Sequence, residues 1–178
     1  MHVKTDFLKP FYLVLLTIFL ACDKSEIEQN ITITVDFVLD ESSLEFNGLV
    51  FLNAFDESHV LDDYGDNITG IEILNIIYFM SYFNGPGSQQ FNSANLEVTG
   101  PDGSGAAIIA SLSDEIMQNL LYERKEMPLQ EEGVKRLEKL IKNEPHEFRL
   151  LFTGISNIAP NDFTFTLEIG MKMSAFPL

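Results

Sequence analysis

The sequence predicts an all-β fold: an antiparallel β-sandwich, immunoglobulin-like or jelly-roll, with a two-helix insertion before its last two strands. Three observations predict it. Apolar residues recur with period two in seven segments between residues 31 and 175. Turn residues separate those segments. Strands and helices do not alternate along the chain, so a parallel βαβ sheet is excluded.

The segments follow in order. In ITITVDFVL, Ile31, Ile33, Val35, Phe37 and Leu39 share one parity, and Thr32, Thr34 and Asp36 share the other. This is the pattern of a half-buried strand. LEFNGLVFL, 44–52, alternates with a phase slip at Gly48, which predicts a bulge. IEILNIIYFMSYF, 71–83, is apolar on both parities, as expected of a strand covered on both faces. Two shorter strands, SANLEVTG and AAIIASL, are joined by GPDGSG, where Pro101, Asp102 and Gly103 supply turn chemistry. FRLLFTGI, 148–155, is the sixth. The last places Phe163, Phe165, Leu167, Ile169, Met171, Met173 and Ala175 on one face, with Thr164, Thr166, Glu168, Lys172 and Ser174 on the other.

Two helices are expected in the insertion at about 113–143. Ser113 reads as an N-cap ahead of Asp114 and Glu115, with Ile116, Leu120 and Leu121 on one face. A second helix at about 129–143 aligns Val134, Leu137, Leu140 and Ile141 and spaces Glu131/Lys135, Glu132/Arg136 and Glu138/Lys142 four apart. Pro145 ends it. Gly133 inside it is expected to cost about 1 kcal/mol relative to Ala.

The 178 residues carry a formal charge of −16, from 27 acidic side chains against 11 basic ones. Such a field repels nucleic acid. The single cysteine, Cys22, cannot close an internal disulfide. It follows an uncharged run, FYLVLLTIFLA, itself preceded by Lys4 and Lys9. A basic start, a short apolar run and a small residue before the cut form the signal-peptide arrangement. As a helix, eleven residues reach only about half of a ~30 Å hydrocarbon core, so a spanning anchor is the poorer reading.

Ala21-Cys22 at the end of that run resembles the lipobox of bacterial lipoproteins, although Phe19 and Leu20 stand where that family prefers Leu and a small residue. The resemblance implies cleavage before Cys22 and a diacylglyceryl group on its sulfur. The run Asp23, Lys24, Ser25, Glu26 resembles the acidic patch that exports lipoproteins to the cell surface in Bacteroidota. The expected organisation is a signal peptide at 1–21, a lipidated tether at 22–30 and a sandwich domain at 31–178. The implied location is the outer membrane, lipid-anchored and exposed at the cell surface.

Candidate sites are sparse. The loop AFDESHVLDDYGDN gathers Asp56, Asp62, Asp63 and Asp66, hard oxygen ligands of the kind Ca²⁺ takes, without EF-hand spacing. Calcium is the only cofactor this suggests; against it stands a solvated loop in a chain that is acidic throughout. His59 and His146 are too few for a zinc or copper centre. YFMSYF, 78–83, reads as core before it reads as a sugar-stacking platform; the loop after it, NGPGSQQFN, is the better binding edge. Residues 22–123 hold 18 acids and one base, whereas 124–149 hold seven bases and six acids. Lys135, Arg136, Lys139 and Lys142 are therefore expected to face outward and to be the place where an acidic protein or glycan partner docks.

No Gly-x-Ser-x-Gly elbow, phosphate-binding Gly-Lys-Ser/Thr loop or His-Glu-x-x-His occurs. Three functions stay open: a lipid-anchored binding or adhesion module, an accessory subunit of an outer-membrane complex, and a glycan or peptide hydrolase built on a carboxylate pair.

Overall fold

The computed structural model describes residues 25–177. Nine strands form two antiparallel sheets. They are β1 (Ile27–Glu41), β2 (Glu45–Asn53), β3 (Ile68–Phe83), β4 (Gln90–Thr99), β5 (Ala107–Leu112), β6 (Glu115–Ile116), β7 (Lys125–Glu126), β8 (Glu147–Ser156) and β9 (Asn161–Ala175). One sheet runs β1-β9-β3-β7 and the other β2-β8-β4-β5, with β6 paired to β4. Successive strands from β1 to β4 fall alternately in the two sheets, and β8 and β9 insert into the middle of each. This is the strand order of a jelly roll.

The alternation of the sequence becomes the inside and outside of the sandwich. Phe163, Phe165, Leu167, Ile169, Met171, Met173 and Ala175 of β9 are wholly buried. β9 lies between β1 and β3 and pairs with β1 along its whole length. Phe37, Phe46, Phe91, Phe152, Phe163 and Phe165 meet between the sheets, with Phe152 and Phe165 stacked at 4.1 Å. Each such side chain contributes about 1.5–3 kcal/mol by leaving water. With no Trp in the chain, Phe is what fills the gap between the sheets.

Four expectations are corrected. Gly48 is not at a bulge: the β2–β8 register is unbroken. Gly48 is small because a Cβ there would lie 2.9 Å from the Phe37 ring. The bulges lie in β3 instead, at Ile68/Gly70, Ile73/Asn75 and Met80/Tyr82. The expected 22–30 tether is shorter, because β1 already begins at Ile27. Its first turns of pairing are built from polar Glu28, Gln29 and Asn30, which hid the strand; residues 22–24 lie outside the described residues.

The helix expected from Ser113 does not form. Asp114 takes φ 58°, β6 pairs with Gln90 and Phe91, and a 3-10 turn spans Met117–Leu120. Met117 N donates to Gln89 O, so the backbone pairs with the neighbouring strand rather than with itself. Met117 and Leu120, both fully buried, are three apart, the 3-10 spacing. A helix that was not expected, α1 (His59–Tyr64), lies inside the acidic loop. Ser58 caps it by accepting from Leu61 N at 3.5 Å, and Leu61 is fully buried.

The second expected helix is present as α2 (Glu131–Lys142). It covers β3 and β5 with Leu137 and Ile141, both fully buried. Gly133 has a packing reason: a Cβ there would run into the Ile108 carbonyl of β5. Glu138 accepts from Ile73 N at 2.9 Å, and Lys142 donates to Thr69 O. Both bonds reach β3 where its bulges free backbone groups.

Candidate binding site

The sandwich has two unlike ends. The chain enters at Ile27, beside Ala175 and Ile68. This entry end also carries α1, the β4–β5 turn at 100–106 and the link from α2 to β8. The other, the loop end, carries the connections 42–44, 84–89 and 157–160.

The loop end is held together by amides. Gln89, wholly buried, donates from Nε2 to Ile158 O (2.8 Å), Pro160 O (3.0 Å) and Asn161 Oδ1 (3.1 Å). Asn161, also buried, donates from Nδ2 to Ser43 O at 2.7 Å and Leu44 O at 3.2 Å. Asn157 donates to Ser88 O and accepts from Gln90 N. At the rim, Asp162 Oδ2 accepts from Asn84 Nδ2 (2.7 Å) and the Tyr82 hydroxyl (3.3 Å). Loss of water and the neighbouring Asp162 charge raise the Tyr82 hydroxyl above its ordinary pKa. The loop NGPGSQQFN, expected as a binding edge, is thus pinned on a second loop through Gln89 and Asn157.

Beside this end, on the outer face of β2, β8 and β4, lies an open groove of about 450 Å³. Pleating places Asn47, Thr153, Asn95 and Ser111 in one cross-strand row, from β2 through β8 and β4 to β5. Glu41 and Glu45 border it, and Gly154 and Ile155 floor it. Ser111 donates to Asn95 Oδ1 at 2.8 Å, and Gln130 Nε2 donates to Ser111 Oγ at 3.2 Å. The next row carries exposed Leu49 and Ile108 with Leu151 and the half-buried Glu97 between, and beyond it Arg149 lies 4.4 Å over the exposed ring of Phe51. Amides, hydroxyls and carboxylates beside an aliphatic strip can bind a polar, uncharged ligand through its hydroxyl or amide groups. Period two gave the parity of these residues; only the strand order, which brings β2, β8, β4 and β5 side by side, assembles them.

The other expected residues are placed as follows. Cys22 lies outside the described residues. Asp56, Asp62, Asp63 and Asp66 are exposed, and Asp62 and Asp63 sit on α1. Among the described residues no group of three or more His, Cys, Asp or Glu side chains converges as metal ligands. His146 stacks on Phe55 at 3.9 Å and bonds Ile141 O at 2.9 Å.

Within 78–83, Tyr78 and Met80 are core. Burial and the nearby Glu115 carboxylate push the Tyr78 hydroxyl up to about 12. The Met80/Tyr82 bulge turns Tyr82 out instead of in with them. Of the four helix cations, Lys135 pairs with Glu131, Lys139 is exposed, and Lys142 is tied to Thr69 O. Arg136 departs from expectation: half-buried, it packs onto the glycine turn at 100–105.

No family model matches the chain, and no curated protein matches it. Solved structures of two viruses are similar to it. Desmodium yellow mottle tymovirus aligns at TM-score 0.31 and 9% identity, over 85% of this chain and 84% of that one. Turnip yellow mosaic virus aligns at TM-score 0.33 and 10% identity, over 86% and 95%. Likeness at this distance carries no functional argument, and the jelly-roll assignment rests on the strand order above. No described helix is long and apolar enough to cross a membrane.

Proposed function

We propose that the chain is a lipid-anchored lipoprotein of the bacterial outer membrane, whose acidic jelly roll serves as a binding or adhesion module. The observation that carries this is the position of Cys22, one residue past the uncharged run 11–21 and five before β1. Four intervening residues, Asp23 to Glu26, allow at most roughly 18 Å between the acylated sulfur and the first strand. The entry end then lies against the headgroups. A 15-residue β1 carries the loop end about 50 Å further out. The groove beside Glu41 and Glu45 faces away from the membrane, where a glycan or a protein segment offering hydroxyls and amides can reach it.

The experiment is acyl labelling of Cys22→Ser. Wild type incorporates palmitate and partitions into the detergent phase, since two or more acyl chains hold a protein firmly. Cys22→Ser remains an uncleaved, unlabelled precursor. Labelling of Cys22→Ser at the wild-type level would overturn the reading.

A further inference from the structure

The two outer faces of the sandwich treat their polar groups differently. On the face of β1, β9 and β3 those groups satisfy one another. Lys172 pairs with Glu28 and Glu72, and Arg124 pairs with Glu168. Thr166 Oγ1 bonds Asp36 Oδ1 at 2.6 Å and Ser81 Oγ at 3.0 Å. On the face of β2, β8, β4 and β5, which Glu41 borders, the acids Glu41, Glu45 and Glu97 enter no ion pair among the described residues. Ser111 donates to Asn95 Oδ1, which leaves the Nδ2 donors of Asn95 to the groove. Asn47 is exposed and Thr153 half-buried, so an amide and a hydroxyl extend the same row.

The layout of this face narrows what can lie on it. Strands lie roughly 4.8 Å apart, so the polar row Asn47–Thr153–Asn95–Ser111 is about 14 Å long. The aliphatic row holding Leu49 and Leu151 runs parallel to it, two residues further along each strand and therefore about 7 Å away. A chain of linked sugar rings has the same two-sided character, with hydroxyls round the rim of each ring and C–H groups on its faces. A polypeptide that adds to a sheet needs free main-chain groups. β8 and β4 are hydrogen-bonded to neighbours on both sides and offer the groove side chains only. Among the residues lining the groove there is no cation, and Glu41 and Glu45 repel an acidic ligand.

We infer that this face binds an uncharged polysaccharide. The glycan lies across β2, β8 and β4, with its hydroxyls on Asn47, Thr153 and Asn95 and its ring faces on Leu49 and Leu151. Amides and hydroxyls serve it as donor and acceptor at once. The aliphatic row contributes by leaving water. The inference rests on the groove being the site of a binding module, and not on the lipid anchor.

The test is retardation of the detergent-solubilised full chain in native gels cast with dextran, mannan, galactan or xylan, and with the carboxymethylated form of each. Saturable retardation by at least one uncharged polysaccharide is expected, with clearly weaker retardation by its carboxymethylated form. Thr153→Val, which removes a hydroxyl at nearly constant shape, and Asn95→Ala should each weaken retardation roughly tenfold at an unchanged melting temperature. Cys22→Ser should be retarded as wild type is while incorporating no palmitate, so failure of the anchor and failure of the groove are read apart. Retardation by none of the four uncharged polysaccharides, equal retardation by the carboxymethylated forms, or wild-type affinity in folded Thr153→Val and Asn95→Ala would overturn the inference. Saturable binding of a soluble Asn-Thr repeat peptide in place of every polysaccharide would also overturn it, while leaving the groove a binding site.

Discussion

The loop end and the entry end are built from the same kinds of group, buried nitrogen donors, and treat them in opposite ways. At the loop end the buried side-chain amide nitrogens of Gln89 and Asn161 have protein acceptors, and with exposed Asn157 they lock three connections together. At the entry end the Nε atoms of Arg136 and Arg149 have none. Satisfied donors hold a scaffold in one shape; at the entry end both arginines instead pack against the glycine turn 100–105, with those nitrogens shut away from water. The loop end therefore presents a rigid rim to the groove beside it.

This difference can be broken by substitution. The largest effect is expected from Asn161→Leu, which strands the Ser43 carbonyl and takes one hydrogen bond each from Leu44 O and Gln89 Nε2. Buried unpaired groups cost about 1–3 kcal/mol each. A loss of roughly 3 kcal/mol lowers the melting temperature by about 6–12 °C in a domain of this size. A drop below a degree would show that the network does not hold the loops.

Gly133→Ala should come next, at about 2 kcal/mol of destabilisation from overpacking against Ile108. Helix propensity alone predicts the reverse sign, a gain of about 1 kcal/mol. A rise in melting temperature would therefore refute the close approach of α2 to β5. Arg136→Gln should have the smallest effect, within about 0.5 kcal/mol. It removes a charge that makes no ion pair among the described residues, and a large loss of stability would mean that the arginine is a structural strut.

Much of the scaffold was legible in the sequence, because period two survives wherever one face of a strand is covered. The faces of β1 and β9 were read residue by residue. Failures came where local pattern yields to tertiary pairing. The 113–121 segment looks helical by its acids and its apolar spacing, yet its backbone bonds go to β4. β7, two residues long, is too short to show a period. α1 was hidden by acidic residues, although Ser58 and Leu61 carry its cap and its buried face. Gly48 and Gly133 look like faults in a strand and a helix; both are points of close approach that only the packed structure displays. The basic segment 124–149 was visible, but that Arg136 from a helix and Arg149 from a strand lean on one glycine turn was not.

Depth measurement in proteoliposomes tests the proposed anchoring and orientation of the domain together. The chain would carry a fluorophore on a cysteine introduced at exposed Asp66, on the entry end, or at exposed Ser42, on the loop end. Quenching by a nitroxide on the lipid headgroup falls off steeply with distance. With β1 about 50 Å long, strong quenching is expected at position 66 and essentially none at position 42. Equal quenching at the two positions, or quenching at 42 alone, would contradict it.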